Sequence, residues 1–273
     1  MPEQLVAIIA GLLLGSFLNV CIYRWPNDLS VVTPSRSFCP NCERQIAWFD
    51  NIPVISYVLL RARCRHCQDV ISWRYPLVEI LTAFCFWWFV AQAGLTPLAL
   101  RNCVFAFLLI GLIFSDLETM LLPDELTLGG TAIGVVFSLW VPAGNSTLTF
   151  FANALGYDLS PRLASLGEAI LGAVVPSFLM WLVGFIFEKV RHKEGLGFGD
   201  VKMIAMIGAF TGITGTLQTV IVASIAGSVI GLAWLKLSRQ STDTYQPFGS
   251  FLGAAALVTA IGGQSWFWKL FGE

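Results

Sequence analysis

Two aspartates, Asp116 and Asp200, are the residues in this sequence best suited to do chemistry. Asp116 follows the apolar run Phe105-Ala-Phe-Leu-Leu-Ile-Gly-Leu-Ile-Phe114, and Asp200 closes Gly197-Phe-Gly-Asp200 just ahead of another apolar run. Ionisable groups at the margin of a membrane span are costly and point to function. Two carboxylates able to share a proton are a minimal acid/base pair for hydrolysis, titrating as one coupled unit. The bland alternative is that each is an interfacial carboxylate facing water. What separates the two readings is whether the chain brings the acids to one face.

The composition demands a membrane. Of 273 residues, 56% are hydrophobic and 12% charged, and mean hydropathy is +0.73, against roughly 25% charged in soluble domains. The net charge of −1 gives no basic excess for binding nucleic acid. Apolar stretches long enough for spans fall at about 4–23, 76–94, 97–115, 126–142, 165–187, 201–213, 215–235 and 249–268, the sixth being the shortest. The first has no basic stretch before it and no small-residue cleavage site, so it reads as a retained span. The expected fold is an all-α polytopic membrane protein of about eight transmembrane helices. Residues 1–23 form its first span, 24–75 a polar module, and 76–273 a multi-span membrane domain.

Seven arginines lie in the polar segment, so the positive-inside rule places it in the cytoplasm. Alternation then puts 13 of the 16 Lys and Arg residues inside, leaving Arg101, Arg162 and Lys269 outside. Two spans separate Asp116 from Asp200. Both acids are therefore expected at the cytoplasmic face. Segment 143–163, with Gly144, Asn145, Ser146 and Pro161, is expected to be an outside loop, and its Asn145-Ser146-Thr147 sequon carries little weight. Gly11 and Gly15 form a small-xxx-small step suited to helix packing.

Cys39-Pro-Asn-Cys42 and Cys64-Arg-His-Cys67 are two knuckles that can bring four thiolates onto one tetrahedral zinc ion. Two disulfides are the competing reading, disfavoured by a reducing cytoplasm. His66 could replace a cysteine but suits a solvated loop. Cys21, Cys85 and Cys103 lie in or beside spans, where packing is the ordinary role.

Other hydrolytic machinery is missing. The only histidines, His66 and His192, fall in loops, and the sequence has no HExxH, GxSxG or phosphate-loop motif. A hydrolase here must use carboxylates. Around Asp116, Pro123 breaks any continuing helix, and a charged cap or loop accounts for Glu118, Asp124 and Glu125. Around Asp200, Gly195-Leu-Gly-Phe-Gly199 gives the backbone freedom at the mouth of a span.

Gly197-Phe-Gly-Asp200 resembles the GxGD signature of intramembrane aspartyl proteases. Leu196-Gly-Phe-Gly-Asp-Val-Lys202 together with Asp116-Leu-Glu-Thr-Met-Leu-Leu-Pro-Asp124 resembles the bacterial type IV prepilin peptidases. Gly15-Ser-Phe-Leu-Asn-Val-Cys-Ile-Tyr-Arg24, Trp48-Phe-Asp-Asn-Ile-Pro-Val-Ile-Ser-Tyr57 and Arg74-Tyr-Pro-Leu-Val-Glu79 extend the likeness over most of the chain. Two departures are expected to matter little: Ser250 stands where the pattern has proline, and loop 143–163 is long.

The resemblance implies a bifunctional enzyme of the bacterial cytoplasmic membrane. It would cut the leader from prepilins and pseudopilins, then methylate the new N-terminus from S-adenosylmethionine. Asp116 and Asp200 would be catalytic, with Gly197, Gly199, Lys202 and Asp124 as supporting motif positions. Cys39, Cys42, Cys64 and Cys67 would be structural zinc ligands. No residue is named for methyl transfer; the cysteine module could serve it or simply position substrate. The alternatives are a leader peptidase without methyl transfer and a non-enzymatic zinc-ribbon scaffold or transporter subunit.

Overall fold

The computed structural model describes residues 1–34, 36–142, 147–192, 197–238 and 247–263, with side chains omitted at 234–238. Gly144, Asn145 and Ser146 of the expected loop, Gly195 and Leu196 of the second motif, and 264–268 of the expected last span lie outside them. Among the described residues the chain is helical without a β-strand. It forms two compact units, Met1–Gly111 and Leu112–Glu273.

In the first unit, α1 (Pro2–Arg24) and α3 (Arg74–Ala93) pack along their length. The Gly11/Gly15 step makes this possible: a Cβ on Gly11 would meet the Ala83 Cα at 2.5 Å, and one on Gly15 the Glu79 Cα at 2.8 Å. Small residues at such positions let helix backbones approach closely in lipid.

Between α1 and α3 lies the polar module, with one short helix, α2 (Ile55–Leu59). The buried Arg24 organises its entry by donating to the carbonyls of Ser30, Val31, Pro34 and Arg36. Its exit is tied by Glu79, whose Oε2 accepts the Val54 N–H at 2.8 Å. Val54 itself sits at φ 60°, a costly conformation for a β-branched residue.

In the second unit, the end of α4 (Pro97–Thr119), α5 (Asp124–Ser138), α7 (Pro161–Arg191), α8 (Phe198–Ser238) and α9 (Phe248–Gly262) assemble, with α7 against α8 the most extensive packing. Among the described residues, five helices are long and apolar enough to cross a membrane: Pro2–Asn27, Arg74–Ala93, Pro97–Thr119, Pro161–Arg191 and Phe198–Ala233. This is a multi-pass membrane protein. The eight expected spans map onto these five, the shorter α5 and α9, and a division of α8. At about 1.5 Å per residue, the 41 residues of α8 would reach about 60 Å, twice a hydrocarbon core of about 30 Å. Gly212 (φ 72°, ψ −176°) breaks it, separating the expected sixth and seventh spans.

That break is capped. Glu168 of α7, 2% exposed, accepts the Ile213 N–H on Oε1 at 3.3 Å and the Leu148 N–H on Oε2 at 2.9 Å. The second contact belongs to a helix inside the segment expected as loop, α6 (Thr147–Ala154). A carboxylate from another helix satisfies the N-terminal N–H groups. Where α7 crosses α8, Pro176 offers no N–H to the Gly172 carbonyl. That carbonyl faces Gly208, where a Cβ would collide with it.

Candidate active site and metal cluster

Asp116 lies in the last turn of α4, which ends as Met120 turns left-handed (φ 54°). The chain then runs through Leu121 and Leu122 to Pro123, which starts α5. Asp200 lies in the first turn of α8. Both acids are buried, at 5% and 6% exposure, and they interact electrostatically. The two acids thus lie within electrostatic reach of one another.

Leu122 shows how tightly the surrounding segments converge. A Cβ on Gly199 would touch its side chain at 3.2 Å, and one on Gly249 at 3.1 Å. Gly199 precedes Asp200; Gly249 precedes Ser250. A Cβ at either position would make Leu122 give way by a few tenths of an ångström. Gly197 accepts the Asp200 backbone N–H at 3.1 Å, closing the turn that presents the acid.

The other two motif positions pair with each other. Lys202 Nζ lies 2.6 Å from Asp124 Oδ1 and 5.2 Å from the centre of the Phe198 ring. Asp124, expected as a cap or loop acid, heads α5 and reaches across to α8 through this bond.

Sequence reasoning missed Ser250. Its N–H donates to Asp116 Oδ2 at 2.6 Å, and its hydroxyl lies 2.9 Å from the same oxygen. The only signal was its departure from the family's proline, which had been expected to matter little.

In the first unit, Cys39, Cys42, Cys64 and Cys67 converge with all four Sγ atoms within 4.8 Å of one another. Cys39 and Cys67 Sγ are 3.8 Å apart. Zn–S bonds of about 2.3 Å in a tetrahedron place sulfurs about 3.8 Å apart, so the cluster fits a metal ion of this kind. None of the seven cysteines forms a disulfide.

The two knuckles repeat one another. The N–H of Cys39 donates to the Arg44 carbonyl while its carbonyl accepts from the Glu43 N–H; Cys64 does the same with Asp69 and Gln68. Each turn closes on a left-handed residue, Glu43 or Gln68, and each is flanked by one β-bridge. The backbone N–H groups of Cys67 and His66 draw the Cys64 thiol down to about 7. His66 is exposed and lies outside the sulfur cluster. A bidentate pair, Arg65 on Asp50, joins the second knuckle to the Trp48–Asn51 turn, and those hydrogen bonds hold the Asp50 carboxyl below its ordinary range. Cys21, Cys85 and Cys103 are buried, as packing residues should be.

A helical membrane unit with a buried carboxylate pair and a four-thiol module in its N-terminal unit describes one class of enzyme. Residues 9–93 match the bacterial peptidase A24 N-terminal domain, and residues 103–232 match the type IV leader peptidase family. The chain belongs to that family. It is 31% identical over 290 residues to a prepilin leader peptidase/N-methyltransferase of Burkholderia pseudomallei (strain 1026b), covering 97% of this chain and 87% of that one. Proteins of the same name from Aeromonas hydrophila (33% identical, 93% and 89% covered) and Pseudomonas putida (32%, 95% and 90%) are similarly close. No solved structure matches.

Proposed function

We propose that this protein removes the leader peptide of type IV prepilins and pseudopilins at the cytoplasmic face of the bacterial inner membrane, then methylates the new N-terminus. The observation that carries this reading is the buried Asp116–Asp200 pair in a chain that shares its length with the leader peptidases. One carboxylate takes a proton from a water whose oxygen bonds to the scissile carbonyl carbon. The other, protonated, gives its proton to the carbonyl oxygen. As the C–N bond breaks, the leaving amine takes up the proton abstracted from water, and a hydroxyl of the intermediate returns its proton to the second carboxylate. Gly197 closes the turn that presents Asp200, Gly199 leaves room for the Leu122 side chain, and the Asp124–Lys202 pair ties α5 to α8.

The four cysteines are proposed to hold structural zinc, stabilising the segment 24–75. S-adenosylmethionine would supply the methyl group, and the pilin amine, neutral at that moment, would be the nucleophile. Nothing in that transfer requires Asp116 or Asp200 to change protonation.

The test is incubation of purified protein with a candidate prepilin, with products mapped by mass. Asp116→Asn and Asp200→Asn should each abolish cleavage while membrane insertion is retained. The Asp200→Asn protein should still methylate a pilin supplied already cleaved. Substantial cleavage by Asp116→Asn would remove that residue from the mechanism. Cleavage without methylation by the unaltered protein would reduce the reading to a leader peptidase.

A further inference from the structure

Asp116 has two carboxylate oxygens, and the structure treats them differently. Oδ2 receives the Ser250 N–H at 2.6 Å and lies 2.9 Å from the Ser250 hydroxyl, which also lies 3.2 Å from the Ile113 carbonyl. A carboxylate oxygen has two lone-pair positions in its plane, and with the single Ser250 hydroxyl hydrogen turned to its nearer acceptor both positions of Oδ2 are taken. The N–H involved is one that α9 cannot satisfy internally, three residues past its Pro247 cap. Gly249 lets the two segments meet, since a Cβ there would stand 3.0 Å from Oδ2 and 3.1 Å from Asp116 Cγ. Asp116 is thus clamped by α9.

From this geometry we propose that Ser250 is a positioning residue that assigns the work of Asp116 to Oδ1. Resting on the function proposed above, the inference is that any proton Asp116 exchanges with water or the departing amine passes through Oδ1, while Oδ2 is anchored to α9. A carboxylate free to rotate about its Cβ–Cγ bond would present either oxygen in any of several directions. The clamp removes that freedom, and a misplacement of about 1 Å at a reacting group can cost about a hundredfold in rate. Ser250 stands where the family pattern has proline, a residue with neither an N–H nor a hydroxyl to donate, so the pattern itself does not supply this clamp.

Three substitutions separate positioning from mere packing. Ser250→Ala keeps the N–H and removes the hydroxyl. Hydrogen bonds to charged groups are strong enough that kcat for prepilin cleavage should fall about tenfold, with KM unchanged. Ser250→Thr keeps both donors and should restore kcat to within about twofold. Ser250→Pro, the residue of the family pattern, deletes both donors; it should lower kcat further and alter its pH dependence, which Ser250→Thr should leave alone. Thermal melts of all three establish that they are folded. Unchanged kcat in Ser250→Ala, or failure of Ser250→Thr to restore it, would overturn the proposal. Asp116→Asn is measured alongside: cleavage by that variant would sink the role of Asp116 itself, an outcome distinct from failure of the clamp.

Discussion

The α7–α8 crossing offers the sharpest quantitative test of how this structure holds its carboxylates. Gly172→Ala would set a Cβ 2.6 Å from the Gly208 carbonyl oxygen and 2.7 Å from the Gly212 C and Cα atoms, all backbone. Ordinary contact begins at 3.4 Å, so the backbones must separate by about 0.8 Å, the difference of 3.4 and 2.6. A gap of that size forfeits about a quarter to a half of the dispersion energy at each affected contact, and overpacking of this kind costs about 1–3 kcal/mol. At about 2–4 °C per kcal/mol, the melting temperature in detergent should fall by several degrees. The same displacement moves the half of α8 that carries Asp200 in its first turn, so prepilin cleavage should fall about 10- to 100-fold. Gly129→Ala is the matched control: nothing lies within 4 Å of its Cβ, and alanine's helix preference should leave stability unchanged or raise it by up to about 1 kcal/mol. The reasoning fails if Gly172→Ala melts at or above the unsubstituted temperature while Gly129→Ala behaves as expected.

Two further outcomes concern the polar module. Elemental analysis of the purified protein should find about one zinc per chain, and Cys39→Ser should lose most of it; full retention would mean the four thiols do not form the site. Val54→Gly should relieve a strain of about 1–3 kcal/mol, less about 0.5–1 kcal/mol of added chain entropy. It should therefore slow proteolysis within residues 48–59, and faster cutting there would show that Val54 is not strained.

The sequence made the long spans and the meeting of Asp116 with Asp200 legible because both rest on hydropathy. An apolar run ends at one acid, another begins at the second, and counting the spans between them places both at one face. The four thiols were legible for a similar reason: paired CxxC spacing is a local signal. Features that depend on distant partners were not. Helix α6 lies where a loop was expected, and one of its first N–H groups is capped by Glu168, 20 residues on. Arg24, read as one of many inward positive charges, is buried and gathers four carbonyls. The boundary between the sixth and seventh spans falls at residue 214 in the sequence reading, close to Gly212, yet the sequence could not say that a single non-helical residue would divide the two helices. Ser250 was least visible, because its partner is 134 residues away.

That separation sets an order of events in biogenesis. Asp116 and Asp200 both emerge from the ribosome before α9. A nascent chain can therefore hold both acids in the bilayer while Asp116 still lacks the backbone and hydroxyl donors of Ser250. Closing a contact over 134 residues must wait until the last described helix has inserted and docked. On the proposed function, hydrolysis by incomplete chains is slowed. A peptidase made in the same membrane as its substrates, and beside other proteins it should not cut, would reach its full rate only once α9 is in place.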